Sequence, residues 1–253
     1  MSQRPLVLIT GGSRGLGRNA ALQLASRGFD LVITYRQQQD EADAVVHQAQ
    51  ALGARALALP LEVGEVAALP AFVAALREQL ARVWQREQLD HLVNNAGQGV
   101  HAAFADTTPA QFDSLMQVHL KGPFFLTQAL LPLLRDGGSV LNVSSGLARF
   151  AVPGYAAYAS MKGAMEVLTR YQAKELGARG IRVNILAPGA IATDFGGGAV
   201  RDNAELNHYL ASQTALGRVG QPDDIGPVVA QLLSEDSRWM TAQRVEVSGG
   251  MFL

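Results

Sequence analysis

The chain has 253 residues, 48% hydrophobic and 17% charged, with a formal net charge of −1 and no cysteine. This size allows a large buried core and suits a single α/β domain over residues 1–253, while the balanced charge argues against nucleic acid or an anionic membrane surface as a partner. The lack of cysteine excludes disulfides, thiolate metal sites and a cysteine nucleophile, and no metal site is predicted.

The amino-terminal stretch leads directly into a glycine-rich turn. The apolar run from Leu6 to Thr10 is too short for the apolar core of a signal peptide. No stretch of the sequence reaches the roughly 18 to 20 consecutive apolar residues that a membrane span requires. We therefore expect a mature cytoplasmic protein with no membrane partner.

Short apolar runs alternate with longer helical patterns along the chain. The runs predicted to be strands are 6–10, 30–35, 54–60, 89–94, 139–144, 181–187 and 244–247. Most are apolar at nearly every position, which suits strands covered on both faces of a parallel sheet. The pattern predicts an α/β fold with a doubly wound, parallel, seven-stranded sheet and helices on both faces. The segment at about 190–217 carries three consecutive glycines and is predicted to be a mobile loop.

A glycine-rich turn follows the first predicted strand and opens a helix. It reads Thr10-Gly11-Gly12-Ser13-Arg14-Gly15-Leu16-Gly17. Glycines let the backbone approach a pyrophosphate, which the free amides and dipole of a helix N-terminus attract. The same spacing also fits a tight strand-to-helix turn without a ligand. Its position directly after the first strand favours nucleotide binding.

The end of the second predicted strand bears on the choice of cofactor. This strand ends Tyr35-Arg36, where a site for NAD usually places an acid that binds the ribose 2′-hydroxyl. Arg36, together with Arg14 in the glycine turn, suits a 2′-phosphate instead, because guanidinium groups bind phosphate oxygens in pairs. The sequence therefore predicts NADPH/NADP rather than NAD. The alternative is that Arg36 is a solvated strand-end residue.

Tyr158 and Lys162 are four residues apart, which places both on one face of a helix. A free tyrosine has a pKa of about 10. A lysine charge about 4.5 Å away, at an effective dielectric constant of about 20, would favour the phenolate by roughly 3.5 kcal/mol and lower that pKa to about 7 to 8. Ser145 follows an apolar run thirteen residues upstream of Tyr158, at a predicted strand end. The pattern indicates acid-base chemistry beside a bound nucleotide.

With these residues the chain resembles the short-chain dehydrogenase/reductase family over nearly its whole length. The landmarks that carry the resemblance occur in order: Thr10 to Gly17, Asn94-Asn95-Ala96-Gly97, Ser145, Tyr158 with Lys162, Asn184, Pro188-Gly189 with Ile191 and Thr193, and Ser248-Gly249-Gly250. The resemblance implies a Rossmann-type sheet and nicotinamide hydride transfer. The closest pattern is that of 3-oxoacyl-[acyl-carrier-protein] reductases and their relatives.

The family pattern implies a role for each matching residue. Tyr158 would be the general acid, Lys162 would lower its pKa and hold the nicotinamide ribose, and Ser145 would bind the substrate oxygen. Asn94 would brace the sheet. The remaining cofactor-binding residues implied by the pattern are Gly11, Ser13, Arg14, Gly15, Leu16, Gly17, Tyr35, Arg36, Glu62, Val63, Asn95, Ala96, Gly97, Pro188, Gly189, Ile191 and Thr193, with Glu62 and Val63 placed at the adenine.

His119 departs from the family pattern. The family often has asparagine in V-N-x-x-G, whereas this chain reads Val118-His119-Leu120-Lys121-Gly122. In the family the asparagine shapes a helix bulge whose backbone carbonyl binds a water leading to the lysine. Two interpretations stay open. His119 packs in the same kink, or its imidazole, with an ordinary pKa of about 6.5, takes part in proton relay as a catalytic residue. A third interpretation is that the protein is an inactive, regulatory member of the family.

The resemblance implies an NADPH-dependent oxidoreductase that reduces a ketone or 3-oxoacyl-type carbonyl to an alcohol. One alternative is an alcohol or sugar dehydrogenase that works oxidatively with the same residues. Another, from a different class, is a non-catalytic nucleotide-sensing protein. Expected partners are a small carbonyl or alcohol substrate, or a carrier-protein thioester, and further copies of the chain in a homotetramer or homodimer.

The substrate pocket is expected to be mostly apolar. The side chains predicted to form it are Phe104, Leu147, Phe150, Val152, Phe195 and Tyr209. Arg149 is either a ligand for a substrate anion or a solvated loop residue. An acidic carrier protein would need a basic patch beside the site, for which Arg135 and Arg179 are the candidates.

Overall fold

A computed structural model describes residues 4–253 of the chain. Its centre is one seven-stranded parallel sheet in the order β3-β2-β1-β4-β5-β6-β7. The strands are β1 (Leu6–Ile9), β2 (Asp30–Tyr35), β3 (Ala56–Pro60), β4 (Leu89–Asn94), β5 (Leu134–Val143), β6 (Arg182–Pro188) and β7 (Arg244–Val247). The order reverses between β1 and β4, so the predicted Rossmann-type, doubly wound sheet is confirmed.

Helices cover both faces of the sheet. They are α1 (Gly15–Ser26), α2 (Gln39–Ala51), α3 (Leu69–Gln79), α4 (Pro109–Met116), α5 (Gly122–Leu130), α6 (Ala156–Leu176), α7 (Ala199–Asp202), α8 (Ala204–Ser212) and α9 (Pro222–Leu233). Val7 and Ile9 of β1 pack with α1, α2 and α9, whereas Leu6 and Leu8 pack with α3, α5 and α6. Burial on both faces explains why the strand sequences are apolar without alternation.

The fifth strand begins earlier than predicted, at Leu134 instead of Ser139. Leu134 pairs with Leu89, after which the register shifts and pairing resumes between Ser139 and His91. Residues 135–137 are exposed and bulge out of the ladder. They carry no apolar signal because they never enter the core.

The segment at about 190–217 is not a structureless loop, because it contains α7 and α8. Gly196, Gly197 and Gly198 all have positive φ between Phe195 and the start of α7. These left-handed positions, which glycine adopts without strain, let the chain turn sharply before the helices. The mobility of the segment stays a prediction.

The described residues contain neither a membrane-spanning helix nor a cluster of metal-binding side chains. None of the helices within residues 4–253 has the length and apolar character to cross a membrane. The same residues contain no group of three or more histidine, aspartate or glutamate side chains arranged to hold a metal ion.

Candidate active site

Ser145, Tyr158 and Lys162 come together at the carboxyl end of β5. Ser145 follows this strand and caps a short turn, its Oγ accepting a hydrogen bond from the backbone N of Leu147 at 3.2 Å. Tyr158 and Lys162 lie one turn apart at the start of α6, and both are buried. The Lys162 ammonium donates to the carbonyl of Val143 at 2.8 Å and lies 5.5 Å from the centroid of the Tyr158 ring.

The titration of Tyr158 differs from the sequence expectation. Burial raises its pKa above the ordinary value, and a hydrogen bond with Ser145 only partly offsets this. Burial also lowers the pKa of Lys162, to about 7. The expectation that the Tyr158 pKa lies near neutrality is therefore wrong for this structure, because loss of hydration on burial raises that pKa. Tyr158 is a neutral phenol at pH 7, the form that can donate a proton.

Ser144 and Tyr155, the neighbours most easily mistaken for site residues, face other partners. The Ser144 hydroxyl donates to Glu166 at 2.8 Å. Glu166 also accepts from Arg244 of β7 at 2.7 Å. Tyr155 precedes α6, and its ring packs edge to face on His101 with centroids 5.0 Å apart. The Glu166–Arg244 pair behind Ser144 has no counterpart in the sequence analysis, because its members are far apart in the chain.

His119 lies in a π-helical turn, Gln117–Lys121, between α4 and α5. This turn is the helix bulge that the family pattern implied. The imidazole is buried, and its ring meets Tyr158 edge to face with centroids 5.1 Å apart. Its Nε2 lies 2.7 Å from the carbonyl oxygen of Gln98, to which it donates when protonated, and 3.2 Å from the backbone N of Gln98, from which it accepts in the other tautomer.

The environment of His119 contradicts one basis for a relay role. Burial, followed by the positive charge of Lys162, lowers the His119 pKa to about 3. The ordinary pKa assumed for the relay interpretation is therefore wrong, and the ring is neutral at pH 7. The imidazole instead packs against the backbone at Gly97, where an added Cβ would lie 2.9 Å from Cε1. A catalytic contribution of His119 stays a prediction.

The glycine turn is built for close approach of its backbone to a neighbour. Gly11 and Gly15 have positive φ. A Cβ on Gly17 would lie 2.2 Å from the carbonyl oxygen of Gly11, so no larger residue fits there. Of the described side chains, none caps the first turn of α1, whose N-cap residue is Arg14. Ser13 and Leu16 lie in the same turn, and its free amides suit an anion.

The loop after β4 supports this turn. Asn95 donates from Nδ2 to the carbonyls of Thr10 and Gly11, at 2.9 and 3.1 Å. The Thr10 hydroxyl accepts from the backbone N of both Asn95 and Ala96, at 3.0 Å each. Ala96 also touches Gly11, since a Cβ there would meet the Ala96 Cα at 3.0 Å. Thr10 is thus a buried junction between the two loops, a role that its motif position alone did not specify.

Asn94 and Asn184 hydrogen-bond with other parts of the protein. Asn94 donates to Thr127 of α5 at 3.0 Å and to Asn142 of β5 at 2.9 Å, which ties the sheet to a helix. Asn184 donates to the carbonyl of Met240 at 2.8 Å and accepts from the backbone N of Gln243. Both amides satisfy buried polar groups rather than facing a ligand.

The residues expected at the adenosine end have an unexpected contact. Arg36, which follows Tyr35 at the end of β2, pairs with Glu62 after β3, with Nε and Oε2 3.5 Å apart. Val63 is buried in the core on the α3 side. The expectation that Glu62 and Val63 contact adenine stays a prediction. Glu62 is directed to Arg36 and Val63 to the core.

The strand β6 delivers the residues expected at the nicotinamide end. Pro188 ends the strand, and the backbone N of Gly189 donates to Val247 at 3.1 Å. Ile191 forms an isolated bridge with Gly220. A Cβ on Gly15 would lie 3.8 Å from the Cβ of Thr193, so the loop after β6 closes on the glycine turn.

Phe195 covers the outer side of Tyr158. Their ring centroids are 5.7 Å apart. The same ring lies against Gly99, where an added Cβ would be 3.1 Å from Cε1. Tyr158 therefore packs against both His119 and Phe195. Leu147 belongs to the apolar cluster around Tyr158, together with Val100, Met116, Leu120 and Ala157.

Other predicted pocket residues lie elsewhere. Phe104 is largely exposed. Phe150 stacks on Phe252, with centroids 4.8 Å apart, in a separate cluster. Arg149 is partly exposed but is not free for a substrate anion, because its Nε and Nη2 donate to Glu246, at 2.8 and 2.7 Å, and its Nη2 also donates to the Met251 carbonyl. It anchors the carboxyl-terminal residues.

The two arginines considered for binding a carrier protein lie at the amino ends of the strands, whereas the candidate site lies at their carboxyl ends. Arg179 pairs with Asp136 at 2.7 Å and donates to backbone carbonyls near the start of β5. Arg135 pairs with Asp90 at 2.7 Å in the same region. Ser145 lies at the opposite, carboxyl end of β5. The expectation that these arginines form a basic patch beside the site is wrong, because local sequence does not reveal which end of a strand a loop occupies.

The residues present fit a nicotinamide dinucleotide. The glycine turn leaves backbone space and an uncapped helix N-terminus for a pyrophosphate. Arg36 lies at the strand end where the adenosine ribose binds in this fold. At the other side, Thr193 approaches Gly15, while Tyr158 and Lys162 lie beyond the end of β5. The fold and the site together define a Rossmann-type oxidoreductase.

The family described as Enoyl-(Acyl carrier protein) reductase matches residues 11–252. The chain belongs to the short-chain dehydrogenase/reductase family. It is 34% identical over 255 residues to 3-oxoacyl-[acyl-carrier-protein] reductase FabG of Staphylococcus aureus, with 100% of each chain covered.

Two solved structures are also similar. One is the promiscuous reductase LugOII, which catalyses keto-reduction at C1 during lugdunomycin biosynthesis. It has 38% identity and a TM-score of 0.93, with 100% of both chains covered. The other is the angucycline C-6 ketoreductase LanV with bound NADP, at 36% identity and a TM-score of 0.93, covering 98% of this chain and 95% of that one.

Proposed function

We propose that this protein is an NADPH-dependent reductase that converts a ketone into an alcohol by hydride transfer. The single observation that carries the proposal is the convergence of Ser145, Tyr158 and Lys162 beside a glycine turn suited to a pyrophosphate. When bound, the reduced nicotinamide would supply the hydride. The chain itself would bind and orient the carbonyl and supply a proton.

The protein groups would divide this work. Ser145 Oγ would donate a hydrogen bond to the substrate oxygen and stabilise developing negative charge. Tyr158, kept neutral by burial, would transfer its phenolic proton to that oxygen. Lys162, fixed by Val143, would bind ribose hydroxyls and place positive charge near the phenolate that remains. Phe195 and Leu147 would exclude water from the reacting atoms.

Preference for NADPH over NADH is part of the proposal. Arg36 at the end of β2 and Arg14 in the glycine turn offer guanidinium groups for a 2′-phosphate. The bound NADP in the structure of LanV supports this choice by similarity.

Ketones free in solution are the favoured substrate class, with a 3-oxoacyl thioester as the second candidate. The apolar residues Leu147, Val100 and Met116 around Tyr158 suit a hydrocarbon or ring substrate. LugOII is named as a reductase that catalyses keto-reduction and LanV as a ketoreductase, which supports a ketone substrate by similarity. FabG is named as a 3-oxoacyl-[acyl-carrier-protein] reductase, which supports the thioester. The position of Arg135 and Arg179 at the far edge weakens the case for a carrier protein.

A substrate panel tests the function. NADPH absorbance would be followed with a bicyclic aromatic ketone, a 3-oxo ester, a 3-oxoacyl thioester of N-acetylcysteamine and the same acyl group on carrier protein. Alcohols and sugars with NADP would be run in parallel. We expect the free ketones to be reduced fastest. Faster turnover of the alcohols would favour the oxidative alternative. NADPH binding without turnover of any compound would instead favour a nucleotide-sensing protein.

We also propose a cytoplasmic homotetramer or homodimer, as the family resemblance implies for assembly. Exposed aromatic side chains on α4, α5 and α6 support self-association, namely Phe112, Phe124, Phe125 and Tyr171. Light scattering would measure the mass in solution, and a monomer would contradict the assembly. Fractionation of expressing cells tests the location.

A further inference from the structure

The Arg36–Glu62 pair is created by the register of two neighbouring strands. Tyr35 of β2 pairs with Pro60 of β3, and the backbone N of Leu61 donates to Tyr35 at 2.8 Å. The segments that follow β2 and β3 therefore leave the sheet side by side. Arg36 and Glu62 are the polar side chains that meet there, and both are partly exposed.

The pair lies beside the predicted pyrophosphate turn. Thr34, which precedes Tyr35 in β2, accepts from the backbone N of Gly12 at 2.9 Å and of Gly11 at 3.2 Å. In a doubly wound sheet this strand end is where the adenosine ribose of a dinucleotide binds. Arg36 and Glu62 are thus presented together to the ribose 2′-position.

The two side chains have opposite preferences for the substituent at that position. A guanidinium binds a phosphate dianion through paired hydrogen bonds, whereas a carboxylate repels it. A carboxylate also accepts a hydrogen bond from a free 2′-hydroxyl, as the acid of NAD sites does. The other Glu62 oxygen lies 3.5 Å from the backbone N of Gly64, which holds the carboxylate at this corner.

We propose that Glu62 is a specificity-determining residue that limits the preference of the site for NADP by competing with the 2′-phosphate for Arg36 and by accepting the 2′-hydroxyl of NAD. The inference rests on the proposed function, because it requires a dinucleotide at this site. It makes the protein a reductase that accepts both cofactors, with NADP favoured by a narrower margin than Arg36 alone would give.

Calorimetric titration with NADP and NAD tests the proposal without turnover. The proteins would be the wild type, Glu62→Gln, Arg36→Gln and, as a matched control, Glu65→Gln, which removes an exposed acid three residues away. We expect Glu62→Gln to tighten NADP binding about fivefold and to weaken NAD binding about twofold to threefold. Arg36→Gln should weaken NADP binding about tenfold or more and change NAD binding little. Glu65→Gln should match the wild type.

Two results would overturn the proposal: an unchanged NADP to NAD affinity ratio in Glu62→Gln, or an equal change in Glu65→Gln, which would reveal a general charge effect. Its failure is distinguishable from that of the proposed function. Expected binding shifts without ketone reduction would leave this inference standing and refute the reductase. Ketone reduction with an unchanged ratio would do the reverse, and a wild type that binds neither dinucleotide would refute both.

Discussion

The imidazole of His119 meets the phenol of Tyr158 edge to face, with ring centroids 5.1 Å apart and an interplanar angle of 86°. Nε2 of the same imidazole lies 2.7 Å from the carbonyl oxygen and 3.2 Å from the backbone N of Gln98, so it hydrogen-bonds with this residue in either tautomer. One buried side chain therefore links the candidate acid to the loop after β4. Because its pKa is lowered to about 3, it does so as a neutral group.

Replacement of His119 tests this positioning. We expect His119→Asn to keep the shape of the pH–kcat profile between about pH 5 and 9 and to lower kcat by less than about tenfold. His119→Leu cannot donate to Gln98 and should lower kcat further, whereas the KM for NADPH should stay nearly constant. Steady-state rates across this range provide the measurement. Loss of a near-neutral inflection in His119→Asn would instead indicate a titrating relay.

Removal of the Tyr158 hydroxyl tests the proposed proton donor. We expect Tyr158→Phe to reduce kcat by about 10² to 10⁴-fold, because the alkoxide would form without a general acid. NADP affinity measured by calorimetry should change little. Tyr155→Phe is the matched control, since this neighbouring phenol packs on His101. Equal rates in Tyr158→Phe and the wild type would refute the assigned role.

Phe195 is expected to set the size of substrate that reaches Tyr158. In Phe195→Ala the cover over the phenol is lost, so a small ketone should show a KM about fivefold to tenfold higher from reduced apolar contact. The KM of a tricyclic ketone should rise less than that of the small ketone, or should fall. Trp239→Ala removes an exposed aromatic residue shortly before β7 and serves as the control. The KM values of both ketones would be compared in the wild type, Phe195→Ala and Trp239→Ala. Equal changes for the two ketones would contradict a role of Phe195 in selecting substrates by size.

Acid stability should depend on His91. This residue of β4 is buried, with Nδ1 2.7 Å from the Ser139 hydroxyl, and burial lowers its pKa to about 4. The unfolded chain binds the proton near pH 6.5, so the unfolded state takes up more protons below that pH and stability falls as pH drops toward 4. The full loss from this group is on the order of 3 kcal/mol.

Urea unfolding at several pH values between about 7.5 and 5 checks this dependence while most carboxylates stay ionised. His91→Asn should be less stable at the upper end but lose less stability on acidification than the wild type. His47→Asn, which changes a histidine on α2, should retain the wild-type slope. Identical slopes in His91→Asn and the wild type would refute the assignment.

Much of the fold follows from local sequence patterns. All seven predicted strands are present, because runs such as Leu6 to Ile9 are buried on both faces. The irregular start of β5 was missed, since residues 135–137 are exposed and give no apolar signal. The helices α7 and α8 were missed for a related reason. Their short sequences follow three glycines that indicated only a loop.

The candidate site divides in the same way. The glycine turn and the Tyr158–Lys162 spacing are local, because one strand-to-helix turn and one helical period create them. The sequence by itself therefore determined the sheet, the cofactor turn and the catalytic spacing. Only the tertiary structure decided the Arg36–Glu62 pair, the edge on which Arg179 lies and the pKa values of Tyr158 and His119. Those properties depend on which distant segments become neighbours and on how much water they exclude, and neither can be read along the chain.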